Sequence, residues 1–124
     1  MLKFIYSLKC AFNGILYVFK TQRNFRIHLI VLVAVLILCR YLEVSLLKTS
    51  IIFIVAIAVI ILELINTANE DIVNYISPEY NEKAGVIKDV MAGAVLIAAI
   101  GSVIIGFIIL LKPLVEKVKI IIAQ

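Results

Sequence analysis

The chain has 124 residues, 65% of them hydrophobic, with a mean hydropathy of +1.19, no Trp, and twelve Lys and Arg against eight Asp and Glu for a formal net charge of +4. A small water-soluble domain has no means of hiding so much apolar surface, so the chain reads as an all-α integral membrane protein with length for about three or four spans. The same composition excludes nucleic acid as a partner and leaves no room within these residues for a separate soluble catalytic domain, so any site is built from the spans and their connections.

In chain order, residues 2–19 place Leu2, Ile5, Leu8, Phe12, Ile15, Leu16 and Phe19 at helical spacing, with Lys3, Lys9 and Asn13 on other faces. This pattern predicts an amphipathic helix lying in the membrane interface, and the polar residues interrupt the apolar core that a signal peptide requires. Five basic residues, Lys3, Lys9, Lys20, Arg23 and Arg26, precede the first span with no acid among them, a pattern that suits an anionic leaflet. Residues 1–26 are thus read as an interfacial helix and turn, and 27–42 as the first span, with Arg26 and Arg40 snorkelling at its ends.

A short connection, 43–48, precedes a second helix predicted over 49–76. At 1.5 Å per residue that helix is about 42 Å long, more than the ~30 Å hydrocarbon core, so its C-terminal part emerges as a polar extension that ends before Pro78. Residues 78–84 read as a loop with Gly85 in a turn, and the third span as 86–111, ended by Pro113. Ala94, Ala98, Ser102 and Gly106 recur every fourth residue along that span as a small-residue ridge for close helix packing. Residues 112–124 form a tail read as a short amphipathic extension. With three spans, seven basic residues fall on the side of the N-terminal segment and the 66–89 connection and five on the other, so the larger set is expected to face the cytoplasm.

Cys10 and Cys39 stand far apart with no metal-binding spacing, and His28, the single histidine, reads as an interfacial side chain with its polar tip in the headgroups. The polar stretch from Glu63 to Asp89 carries most of the acidic residues. On a helix Glu63, Asn66, Thr67, Glu70, Asp71 and Asn74 form one stripe, and carboxylates leaving a membrane helix mark a functional site unless they serve as polar glue between helices. No phosphate-binding glycine loop, nucleophile elbow or zinc-protease motif is present. Glu70 with nucleotide phosphates suits a hard cation such as Mg2+, and Glu63, about 10 Å nearer the membrane, suits proton abstraction from a hydroxyl whose owner sits in lipid. Lys88 suits phosphate charge. These residues permit phosphoryl transfer from a water-soluble donor to a lipid hydroxyl.

The run from Glu63 through Asn66 to Glu70, followed by Ser77-Pro-Glu79-Tyr80, Lys88-Asp89 and Ala92-Gly-Ala-Val-Leu96, resembles the signature of the prokaryotic diacylglycerol kinase and undecaprenol kinase family. Upstream, Phe19-Lys-Thr-Gln-Arg-Asn-Phe-Arg-Ile-His28 is similar to that family's segment before its first span. The resemblance covers roughly residues 5–110. It implies a domain-shared homotrimer of three-span subunits with an N-terminal surface helix, set in a bacterial inner membrane with active sites facing the cytosol. It further implies ATP and Mg2+ as cofactors and diacylglycerol or undecaprenol as the lipid acceptor.

Carried over by position, the resemblance makes Glu63 the general base, Glu70 the metal-binding glutamate, and Asn66, Lys88 and Asp89 members of the catalytic and nucleotide set. Glu79 and Tyr80 fall near the nucleotide, with Gly85 allowing its backbone approach. Gln22 replaces a second metal-binding glutamate, and Asn74 stands where an aspartate is usual. A neutral amide is the poorer Mg2+ ligand, so two further readings stand beside the lipid kinase: a catalytically weakened or inactive scaffold or lipid-binding protein of the same fold, and a proton-relay or transport component. The wholly apolar run 51–62 speaks against the last of these.

Overall fold

The computed structural model describes residues 1–79 and 81–123. The described chain is all helical: α1 (Leu2–Thr21), α2 (Arg23–Tyr41), α3 (Leu46–Ile76) and α4 (Glu82–Ile122). Each of these helices is long and apolar enough to cross a membrane, and the protein is a multi-pass membrane protein.

The first break is made without proline. Gln22 takes an extended conformation (φ −103°, ψ 118°) between α1 and α2. Arg26 secures it by donating from Nη1 to the carbonyls of Phe19 (3.0 Å) and Lys20 (3.1 Å), so a cation meets the unpaired C-terminal oxygens of α1. The redirected chain buries Phe25, which is 2% exposed and packs with Val18, Leu32 and Ile60. Burial of a side chain of this size contributes about 2–3 kcal/mol.

The turn from α2 to α3 is tighter than the expected connection over 43–48, because α3 already begins at Leu46. Glu43 holds a left-handed φ of 53°, and the amides of Glu43 and Val44 return to the carbonyls of Arg40 (3.3 Å) and Cys39 (3.0 Å). This paired closure of a helix end normally takes glycine at the left-handed position. The Glu43 carboxylate instead meets Lys117 Nζ of α4 at 3.8 Å, and the same ammonium lies 5.4 Å from the centre of the Tyr41 ring.

α3 is the central element. It packs most extensively against α4, then against α2, and α1 lies on α2 and α3 at one end. With 31 residues it extends about 46 Å, and Ser77-Pro78 stops it.

α4 departs from expectation at both ends. The Asn81 side chain accepts from the amides of Lys83 (3.0 Å) and Ala84 (3.3 Å), so the helix starts at Glu82, ahead of the expected boundary at residue 86. Gly85 therefore belongs to the first turn of α4 and not to a loop turn.

Pro113 does not end the helix either. It lies inside α4, which runs on to Ile122, so the span expected over 86–111 and the tail beyond it are one element. A proline ring keeps a helical φ, so the helix continues with one hydrogen bond missing, and two side-chain contacts flank that point. Lys112 and Glu116 pair at 4.0 Å one turn apart, and Lys117 anchors the extension to the α2–α3 turn.

Candidate functional site

Three of the six residues of the polar stripe on α3 lie inside the bundle. Glu63 is 4%, Asn66 8% and Thr67 1% exposed. Thr67 needs no outside partner, since its Oγ1 donates to the Glu63 carbonyl at 2.9 Å. Asn66 Nδ2 donates to Glu70 Oε1 at 3.2 Å, one helical turn on, which ties the amide to the carboxylate.

Glu63, Asn66 and Glu70 open into one cavity of about 350 Å3 enclosed by α2, α3 and α4. α2 adds Asn24 and His28, and α4 closes the far wall with apolar residues such as Val95 and Leu96. Asn66 Oδ1 is buried without a hydrogen-bond partner, and so is Asn69 Nδ2. A buried carbonyl oxygen left unpaired is costly in a folded chain, and this one belongs to a wall residue of the carboxylate cavity, where an oxygen of its kind accepts from a ligand hydroxyl or ligates a cation.

The stripe foreseen as one face is divided by its neighbours. Glu63, Asn66 and Glu70 meet α2 and α4, whereas Thr67 and Asp71 line a different cavity of about 330 Å3 against Gly14 and Tyr17 of α1. Asn74, exposed near the end of α3, accepts from Lys88 Nζ at 2.5 Å across the turn to α4. Lys88 is half-buried, while Asp89 and Glu79 are exposed, and none of these three lines the carboxylate cavity. Gly85 is half-buried, and a Cβ added there would meet nothing within 4 Å. Tyr80 lies outside the described residues.

Gln22, half-buried at the α1–α2 break, is not among the residues lining the cavity. Asn24 and His28 join the site without having been expected there from the sequence. Their spacing of four was the available signal, since it puts both on one face of α2 as that helix enters the membrane. Among the described residues no three His, Cys, Asp or Glu side chains gather as a metal-binding group. The donors that do meet, Glu63, Glu70 and the free Asn66 oxygen, are hard oxygens, and Mg2+ ordinarily takes only one or two carboxylates beside phosphates and water, so the set fits that ion.

These features define a class: a multi-pass helical membrane protein with a carboxylate-lined cavity where its helices leave their apolar stretches. More particularly, the chain belongs to the prokaryotic diacylglycerol kinase family, whose profile matches residues 9–110. It is 43% identical over 109 residues to the diacylglycerol kinase of Synechocystis sp., covering 87% of this chain and 62% of that protein. To the undecaprenol kinase of Bacillus subtilis it is 38% identical over 112 residues, covering 90% and 91%. To the diacylglycerol kinase of Escherichia coli K12 it is 40% identical over 80 residues, covering 64% and 65%. The chain thus spans less than two thirds of the length of the two diacylglycerol kinases and nine tenths of the undecaprenol kinase.

Proposed function

We propose that this chain is an ATP- and Mg2+-dependent lipid kinase that transfers the γ-phosphate to the primary hydroxyl of diacylglycerol, giving phosphatidic acid, or of undecaprenol, giving undecaprenyl phosphate. The observation that carries the reading is the convergence of Glu63, Asn66 and Glu70 on one cavity in a chain of this family. Glu63 accepts the hydroxyl proton as the lipid oxygen bonds to the γ-phosphorus. The bond from that phosphorus to the bridging oxygen breaks at the same time, and ADP leaves with the electron pair. Glu70 and the Asn66 oxygen would hold Mg2+, and that ion would supply neutralisation of phosphate charge.

Lys88 meets the phosphates, with Asp89, Glu79, Tyr80 and Gly85 on the nucleotide side. Seven of the twelve basic residues fall on the N-terminal segment and the 66–89 connection, and this bias supports a reading in which the end carrying Asn74 and Lys88 faces the cytosol and the apolar remainder lies in the bacterial inner membrane. α1 lies along the interface rather than spanning it. It is the least apolar of the four helices along its span-length stretch, and it carries Lys3, Lys9 and Lys20.

A homotrimer fits the large exposed apolar surface of α4. In such an assembly neighbouring subunits complete the sites, and Gln22 reaches a metal only from another protomer.

The test is phosphate transfer by purified protein in mixed micelles with MgATP, offering diacylglycerol and undecaprenol side by side. Product from either lipid supports the kinase and names its acceptor. No product from either, in protein that is folded and assembled, overturns the reading in favour of a non-catalytic scaffold of the same fold.

A further inference from the structure

From the middle of the bundle to the end away from the carboxylates, α2, α3 and α4 enclose a further cavity of about 360 Å3, a volume within the range of ligand pockets. Leu38 of α2, Ile52 of α3, and Leu110 and Leu114 of α4 are among its walls, and Ser102 is the one polar side chain in its lining. These helices are long and apolar enough to cross a membrane, so the surroundings offer the cavity hydrocarbon and not water.

The far mouth of this cavity is polar. Tyr41 follows Leu38 by three residues, Lys117 follows Leu114 by three, and Lys48 precedes Ile52 by four, so each lies on the cavity-lining face of its own helix, one turn nearer that end of the bundle. Arg40 and Lys112, two residues from Leu38 and Leu114, fall on other faces. Lys117 Nζ is gathered at the mouth, 3.8 Å from Glu43 Oε1 and 5.4 Å from the centre of the Tyr41 ring. Lys48 is exposed and has no ion-pair or hydrogen-bond partner among the described residues. Lys48 and Lys117 against Glu43 leave the mouth with a surplus of one positive charge.

An apolar cavity under a cationic mouth complements a molecule that a bilayer supplies, a glycerophospholipid with an acyl chain and a net negative headgroup. A zwitterionic headgroup carries no net charge and does not balance the surplus. We propose that this cavity binds an anionic glycerophospholipid of the phosphatidylglycerol kind, drawn from the leaflet opposite the carboxylate cavity. Its acyl chain runs along Leu110 and Leu114, its phosphodiester oxygens lie between Lys48 and Lys117, and a headgroup hydroxyl donates to Glu43. This lipid is a bound ligand and not a phosphate acceptor, because its polar end is at the opposite end of the bundle from Glu63 and Glu70. It joins the start of α3 to the part of α4 beyond Pro113, and Lys117 lies outside the family-matched residues 9–110.

The chain has no Trp, so Leu114→Trp places a single fluorophore in the cavity wall. The full chain with this change, in non-ionic micelles, is titrated with phosphatidylglycerol carrying brominated acyl chains and, in parallel, with phosphatidylcholine carrying the same chains. Quenching is expected to saturate, at about fivefold lower mole fraction for phosphatidylglycerol, the scale of one uncompensated ammonium near an anionic headgroup. Adding Lys48→Gln is expected to remove most of that preference and Lys48→Arg to keep it. In the chain without the Trp, the same preference is expected as a thermal midpoint that rises saturably with phosphatidylglycerol and less with phosphatidylcholine.

Equal curves for the two lipids overturn the proposal, and so does an unchanged preference in Lys48→Gln. Absence of quenching by either lipid, with a midpoint that neither lipid moves, overturns it in favour of a helix of a second copy filling the cavity. Phosphate transfer is read in none of these arms, so failure of the kinase reading leaves the outcome untouched.

Discussion

Lys88 Nζ donates to Asn74 Oδ1, so an ammonium at the start of α4 is held by a neutral amide at the end of α3, across the turn that contains Pro78. The amide fixes where the charge points without cancelling it. An aspartate at residue 74 makes the same contact as an exposed ion pair, which contributes at most about 1 kcal/mol.

Asn74→Asp is therefore expected to leave the ATP KM within about threefold and the thermal midpoint nearly unchanged, because the acceptor geometry is kept. Asn74→Leu removes the acceptor and returns rotamer freedom to Lys88, which is expected to raise the ATP KM about fivefold. Steady-state kinetics over ATP concentration checks both, and equal behaviour of the two variants would remove Asn74 from any positioning role.

Glu63→Gln preserves shape and hydrogen-bonding capacity in a buried site but no longer accepts a proton. Expected is a fall in kcat of about 10²–10⁴-fold, with the thermal midpoint and assembly retained. Glu70→Ala acts on another parameter. The half-saturating Mg2+ concentration is expected to rise by more than about tenfold, the scale already seen when a metal site loses only a supporting residue. Transfer assays across Mg2+ concentration separate the two carboxylates, and a Glu70→Ala variant with unaltered Mg2+ dependence would move the ion elsewhere.

At the head of α4, Asn81 Oδ1 accepts from two backbone amides, those of Lys83 and Ala84. Asn81→Ala leaves both without that partner and is expected to destabilise the protein by about 1 kcal/mol, whereas Asn81→Asp keeps the cap. Thermal melts in micelles resolve the pair. If both variants melt together with the wild type, water satisfies the amides as well as the side chain does.

Pro113 lies within a continuous helix and lacks the N–H that the Ile109 carbonyl would otherwise accept. Pro113→Ala restores that bond and is expected to stabilise the protein by about 1–3 kcal/mol without altering transfer kinetics, since the cavity is far along α4. A lowered melting midpoint would instead show that the proline aims the extension so that Lys117 meets Glu43 and Tyr41.

How much of this architecture is legible in the residue order depends on the range of the interaction concerned. Apolar runs and their lengths are local properties, so the all-helical membrane class and the helix around residues 49–76 follow from hydropathy and from Pro78 alone. The Glu63, Asn66, Glu70 pattern at spacings of three and four likewise puts those side chains on one face before any packing is known. Local rules misplace the ends of α4, because the Asn81 cap competes with the glycine as a boundary and the Lys117 anchor sustains a helix that a proline alone is read as ending.

Packing decided the remainder. The stripe on α3 is continuous in sequence, yet α1 takes Thr67 and Asp71 while α2 and α4 take Glu63, Asn66 and Glu70, since a helix presents a neighbour with an arc of its surface and not with its whole polar face. From the sequence His28 reads as an interfacial side chain because it stands where the first span begins. It becomes a wall of the carboxylate cavity because the break at Gln22 and the burial of Phe25 set the direction of α2 against α3, and that direction depends on contacts between residues far apart in the chain.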